Sequence, residues 1–222
     1  MRRKITAIVS AFIAAALLLA GCAGGFSANK ISKAAKDYGM QKAKTFSEFV
    51  GITEDKQYSG GYYYVSKDSA EALSLYNSYI NPGKNGFPSL YVKSFVKCVD
   101  ISDINVGRYP TTIYQITAMD EIRARSLYNA FADYQHNDDG SVTVSEGEKD
   151  GYKYTICTSH TEHHSGDDTD YDRNDVNVLV GIYLSGSTVI YMFGYDGEGN
   201  NGGCVDFFCK ELGLESPVTL AG

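Results

Sequence analysis

The densest set of chemistry-bearing residues lies between Ser159 and Asp175. His160, His163 and His164, three of the four histidines, stand there beside Asp167, Asp168, Asp170, Asp172 and Asp175. Imidazole with carboxylate is a ligand set for zinc and similar ions, and carboxylates alone suit calcium. His160, His163, His164, Asp168 and Asp170 are therefore the candidate ligands of a divalent metal ion. On a suitable scaffold they would support metal-assisted hydrolysis. Two sharper patterns fail. Asp168, Asp170 and Asp172 have the spacing that opens an EF-hand calcium loop, but Arg173 stands where that loop needs glycine and Leu179 where it needs glutamate. The metalloprotease signature His-Glu-x-x-His does not occur. Left without a partner, the segment reads as a solvated acidic loop.

Gly197-Glu-Gly-Asn-Asn-Gly202 fits the glycine spacing of a dinucleotide loop. That fingerprint also needs a second parallel strand and an acid about 20 residues on. Gly222 leaves no room for them, so the segment reads as a glycine-rich turn and no nucleotide cofactor is expected. No Gly-x-Ser-x-Gly elbow occurs, nor a cysteine with a recognisable histidine signature, so no catalytic residue is assigned.

The strongest signal lies at the other end of the chain. Arg2, Arg3 and Lys4 precede the apolar run Ile5–Ala20, which only Thr6 and Ser10 interrupt, and Leu19-Ala20-Gly21-Cys22 follows. A basic start, a short apolar stretch and small residues at a cut site mark an export signal, too short for a spanning helix of ~20 residues. Leu-Ala-Gly-Cys also resembles the lipobox of bacterial lipoproteins. That resemblance implies removal of residues 1–21 and a diacylglyceryl group on the Cys22 thiol. Two acyl chains make a stable anchor where one would be marginal. The resemblance thus implies a protein held at the outer face of the cell membrane, with residues 22–29 as lipidated cysteine and flexible tether. At ~3.5 Å per residue that tether reaches about 25 Å.

Removing Arg2, Arg3 and Lys4 from 20 basic residues leaves 17 against 27 acidic ones, a formal charge of −10. Nucleic acid needs clustered Lys and Arg, so it is excluded as a partner. Tyrosine is abundant at 18 residues while tryptophan is absent. Tyrosine suits half-buried strands and wet contact surfaces, so an envelope protein, a peptide or a sugar is the expected ligand class. Cys98, Cys157, Cys204 and Cys209 could form disulfides outside the cytoplasm. Val205, Phe208, Cys209 and Leu212 share a helical face, however, which favours buried free thiols.

Residues 30–222 read as one α+β domain, with possible halves 30–105 and 106–222: an antiparallel or mixed sheet covered by helices on one face. Ile31–Val50 suggests two short helices broken near Gly39, and Gly61–Val65 a strand. Asp68 caps a helix in which Ala72, Leu75, Tyr76, Tyr79 and Ile80 recur at helical spacing. Fifty-two residues on, Tyr114, Ile116, Asp120, Ala124, Ser126, Leu127, Tyr128, Asn129 and Phe131 repeat Tyr62, Tyr64, Asp68, Ala72, Ser74, Leu75, Tyr76, Asn77 and Tyr79, with seven of nine identical. The pattern predicts an internally duplicated strand–helix unit, its second copy opened by a Thr117–Asp120 capping box. Ser89–Val99 fits a strand or a helix. Val142–Val144, Tyr152–Ser159, Val176–Leu184 and Thr188–Tyr195 read as strands, the last two as a hairpin, and Cys204–Leu212 as a helix stopped by Gly213. Because only the thiol can be alkylated, Cys22→Ala should abolish labelling by a radioactive fatty acid and leave the precursor uncut; label retained on the variant would refute the lipobox.

Overall fold

Tyr62, Tyr63 and Tyr64 are consecutive in one strand, and all three are buried. Neighbouring side chains of a strand point to opposite faces, so this strand is covered on both. The computed structural model describes residues 25–54, 59–80, 86–102, 110–135, 141–162, 175–197 and 203–221. Its strands are β1 (Gln41–Lys42), β2 (Gly61–Ser66), β3 (Val92–Asp100), β4 (Thr111–Ala118), β5 (Val142–Lys149), β6 (Tyr152–Glu162), β7 (Asp175–Ser185) and β8 (Thr188–Gly197). They form one mixed sheet in the order β1-β2-β3-β4-β8-β7-β6-β5, parallel at β1–β2 and antiparallel at every other pair. The helices are α1 (Ala28–Asp37), α2 (Phe46–Glu54), α3 (Ser69–Tyr79), α4 (Glu121–Gln135) and α5 (Gly203–Leu212). The fold is α+β.

Two apolar clusters lie on either side of the sheet. One joins Phe49 of α2, Leu75 of α3 and Leu127 of α4 to Tyr62, Phe95, Ile116, Val189 and Ile182. The other joins Ile31 of α1 and Phe208 of α5 to Tyr63, Val96, Ile113, Ile190 and Tyr183. The expectation of helices on one face is thus corrected: α2, α3 and α4 cover one face, α1 and α5 the other. The cause is visible in β7 and β8, whose apolar residues are nearly continuous. Such strands are buried on both sides.

Other expectations are sharpened. Ser89–Val99 resolves as β3. The Ser159–Asp175 loop is shorter than expected, because β6 runs on to Glu162 and β7 begins at Asp175. Residues 26–29, expected to be flexible, belong to the fold. Phe26 is buried with its ring centroid 5.9 Å from that of Tyr152, Ser27 caps α1 by accepting from the Lys30 amide, and Asn29 is already helical. Thr117 does not cap α4. It lies in β4, paired to Gln115 and Thr188, while Asp120 accepts from the Arg123 amide at 2.9 Å.

The two ends of the sheet differ. Tight turns gather at one end, hereafter the turn end: Lys67–Asp68 leads into α3, Met119–Asp120 into α4, and Asp150–Gly151 and Gly186–Ser187 close hairpins. Residues 102, 110, 135, 141, 162, 175 and 197 fall at the opposite end. β2 and β4 both run away from that opposite end, with β3 antiparallel between them, and α3 and α4 return over the same face. Leu75 and Leu127 are 2% and 0% exposed in one cluster. Leu→Ala at either site should cost about 2–5 kcal/mol in urea unfolding; a loss below about 0.5 kcal/mol at both would mark them as surface positions.

Candidate functional site

Strand register sets one row of side chains across the face covered by α2, α3 and α4. Tyr64 pairs with Lys97, Lys97 with Tyr114, Tyr114 with Tyr191, Tyr191 with Ile182, Ile182 with Thr155 and Thr155 with Glu146. Most of a sheet face under helices is aliphatic; this row carries three tyrosines, a lysine and a glutamate. Lys97, Tyr114 and Tyr191 are half-buried and Glu146 is exposed, so the row meets solvent in two places.

Around Lys97 the setting is aromatic. Its ammonium lies 3.4 Å from the ring centroid of Tyr79, on α3, and 5.7 Å from those of Phe49 and Tyr114. A cation over ring faces is attracted by their negative π-clouds, by ~0.5–2 kcal/mol depending on desolvation. The rings continue along the sheet. Tyr79 and Tyr114 are 6.1 Å apart, Tyr114 and Tyr191 6.2 Å, and Tyr191 stacks at 4.5 Å on Phe131 of α4. Gln135, in the last turn of α4, donates to the Tyr191 hydroxyl at 3.4 Å. The helix ends therefore bracket the row, Tyr79 on one side and Phe131 with Gln135 on the other.

Beyond Ile182 the row becomes a proton chain. The Thr155 hydroxyl donates to Glu146 at 3.0 Å. With its one proton so used, Thr155 accepts from the Tyr128 hydroxyl at 2.7 Å. Thr155 is fully buried, so this pairing leaves no orphan polar atom at that position.

Burial, the leading cause throughout, pushes the row's phenols above their ordinary range. Tyr114 is raised by burial and then by neighbouring Tyr79, and Tyr191 by burial and then by Tyr114. Tyr64 is pushed up to about 12 by burial, then by its 2.7 Å hydrogen bond to Glu71 and that carboxylate's charge. These groups stay neutral donors and stacking surfaces over the physiological range. None is prepared to act as a phenolate nucleophile.

Of the expected metal ligands, His160 alone falls among the described residues. His160 is exposed on β6, opposite Asn177, with its Nδ1 3.3 Å from the Asn177 amide oxygen. His163, His164, Asp168 and Asp170 lie outside the described residues, as does Cys22. Among the described residues no three of His, Cys, Asp and Glu gather closely enough to hold a metal ion. Gly197 ends β8, and 198–202 also lie outside the described residues. Cys98, Cys157, Cys204 and Cys209 are buried free thiols. Set against known proteins, the chain matches no family model and no curated protein.

Sequence reasoning identified the excess of tyrosine but not Lys97, Tyr79, Tyr191 or Gln135. Their signal is cross-strand register, which is written in no local pattern. The raised acids give a pH dependence with a definite sign. A phenol or thiol with a raised folded pKa stabilises fully below its unfolded pKa and loses that contribution as pH climbs through the folded value. Thiols start from 9.0, with Cys157 raised by burial to about 11 and Cys209 to about 12; Tyr64 starts from 10.0. The urea midpoint should be level up to about pH 9 and fall steadily towards pH 12. A midpoint unchanged at pH 11.5 would show that these groups ionise freely in the fold.

Proposed function

We propose that this protein is a lipid-anchored, extracytoplasmic binding module whose contact surface is the aromatic row. The anchor reading rests on Leu19-Ala20-Gly21-Cys22 behind a basic, apolar leader. The binding reading rests above all on one observation: Lys97, Tyr114 and Tyr191 are set side by side across three strands, only partly covered from solvent at their edges and bracketed by Tyr79 and Gln135. Ring faces accept the C–H surfaces of sugars and the side chains of peptides, and phenol, amide and ammonium groups give orientation. The ligand this suits has apolar faces with a polar or anionic rim, as in envelope glycans and peptides. The acidic chain does not suit nucleic acid.

A duplicated strand–helix unit explains why the row is bracketed. Besides seven identities in nine positions, Asp68 and Asp120 each cap their helix through a side-chain oxygen, and Ala72 and Ala124 are both fully buried. In that reading Tyr79 and Phe131 are equivalent residues, one reaching Tyr114 and the other Tyr191. The binding surface lies between the two copies.

Since the chain has no tryptophan, its emission comes from its 18 tyrosines, Tyr64, Tyr114 and Tyr191 of the row among them. Titration with soluble cell-wall glycan fragments or wall peptides should give saturable quenching. Lys97→Ala should weaken it about tenfold, equivalent to ~1.4 kcal/mol, while lowering stability by no more than the ~0.5–2 kcal/mol of its ring contacts. Absence of saturable quenching by either class would overturn the proposal.

A further inference from the structure

The chain enters its fold at the turn end. Gly25 lies against Ser185, whose hydroxyl is 4.0 Å from where a Cβ would stand, and Ser185 reaches the Gly151 carbonyl. Gly25 is three residues after Cys22. Three residue steps span at most about 11 Å. An acyl group on Cys22 therefore has to enter the bilayer close to this end.

The same end carries an unusual surface. Among the described residues the exposed large hydrophobics are Tyr91 (66%), Met119 (47%), Ile122 (82%) and Tyr134 (62%). The first three sit at the turn end. The Met119 amide donates to the Tyr91 carbonyl at 3.1 Å, and that of Ala118 to Ser187 at 2.9 Å, which ties them to the turn beside Gly25. From β7 across β8 to β4 is two strand spacings, about 10 Å. Tyr91, Met119 and Arg123 line a hollow of about 470 Å³. Arg123 pairs there with Asp120, which lines the same hollow, while exposed Lys67 and Lys93 lie within two residues of its lining residues Ser69 and Val92. Tyrosine with aliphatic neighbours and flanking cations is the composition that settles at a membrane–water interface.

We propose that the turn end is the membrane-facing surface of this protein, with Tyr91, Met119 and Ile122 seated in the headgroup region of the bilayer that holds Cys22. The proposal rests on the reading of Cys22 as lipidated. It directs the opposite end, with His160 and Tyr134, away from the membrane.

The test uses the full lipidated chain in phosphatidylethanolamine–phosphatidylglycerol vesicles, with and without brominated acyl chains. Ile122→Trp, Tyr91→Trp and Tyr134→Trp each introduce the sole tryptophan. Their positions are exposed, so folding tolerates the change. Emission from Ile122→Trp and Tyr91→Trp should shift to the blue and fall at least twofold with brominated lipid, while Tyr134→Trp keeps its aqueous emission. Equal quenching at all three positions, or quenching at Tyr134→Trp alone, overturns the orientation. Vesicle flotation of the unsubstituted chain is read separately. If it fails to float, the anchor and the orientation fall together; if it floats while Ile122→Trp and Tyr91→Trp stay unquenched, the orientation alone falls.

Discussion

Two-sided burial of one sheet is the constraint on which the rest of this structure depends. Its inner strands must send apolar side chains both ways, and each face must then find helices to cover it. Where the cover approaches closely, the sheet gives way. Gly194 of β8 lies under α5, and a Cβ there would come within 2.7 Å of a Val205 methyl. Gly181 of β7 makes room for the ring of Tyr183, whose hydroxyl donates to the Glu215 carbonyl at 2.6 Å. Both contacts belong to the face covered by α1 and α5, the first and last helices of the described residues. That face holds three of the four buried thiols: Cys98, Cys204 and Cys209. Burial raises the pKa of each, which keeps them protonated and weakly nucleophilic.

The other face carries the candidate site because its cover is divided. α3 packs over β3, while α4 packs over β7 and β8. Between them the row from Lys97 to Tyr191 crosses β3, β4 and β8, with helix-borne rings at its edges. A lysine in that position would be costly in an aliphatic core. Here ring faces and partial solvent exposure replace the water it loses. Aromatic content and the tolerated cation therefore share one setting, the part of the sheet that α3 and α4 approach from either side.

Local order along the chain was legible in the sequence to the extent that it is local. Asp68 before an apolar helical stripe, Gly213 after another, and Ser185-Gly186-Ser187 between two apolar runs each place an element boundary by near-neighbour chemistry. Ser89–Val99 was not decidable in that way, since alternation and helical spacing fit it equally. Pairing with β2 and β4 settles it as a strand. Thr117 shows the same limit: its spacing to Asp120 suits a capping box, yet a strand partner at Thr188 claims its hydroxyl.

By itself the sequence determined the acidic charge, the repeated strand–helix pattern and most strand and helix positions, and it carries the Leu19-Ala20-Gly21-Cys22 motif on which the anchor proposal rests. Each is a matter of residue type and spacing within a few turns of chain. Only the tertiary structure decided that helices cover both faces, that Phe26 and Ser27 belong to the fold, and that Lys97, Tyr114 and Tyr191 stand in register. Those facts depend on which strands lie side by side. Pairings such as Tyr114 with Tyr191 join residues 77 positions apart, and no local propensity encodes them.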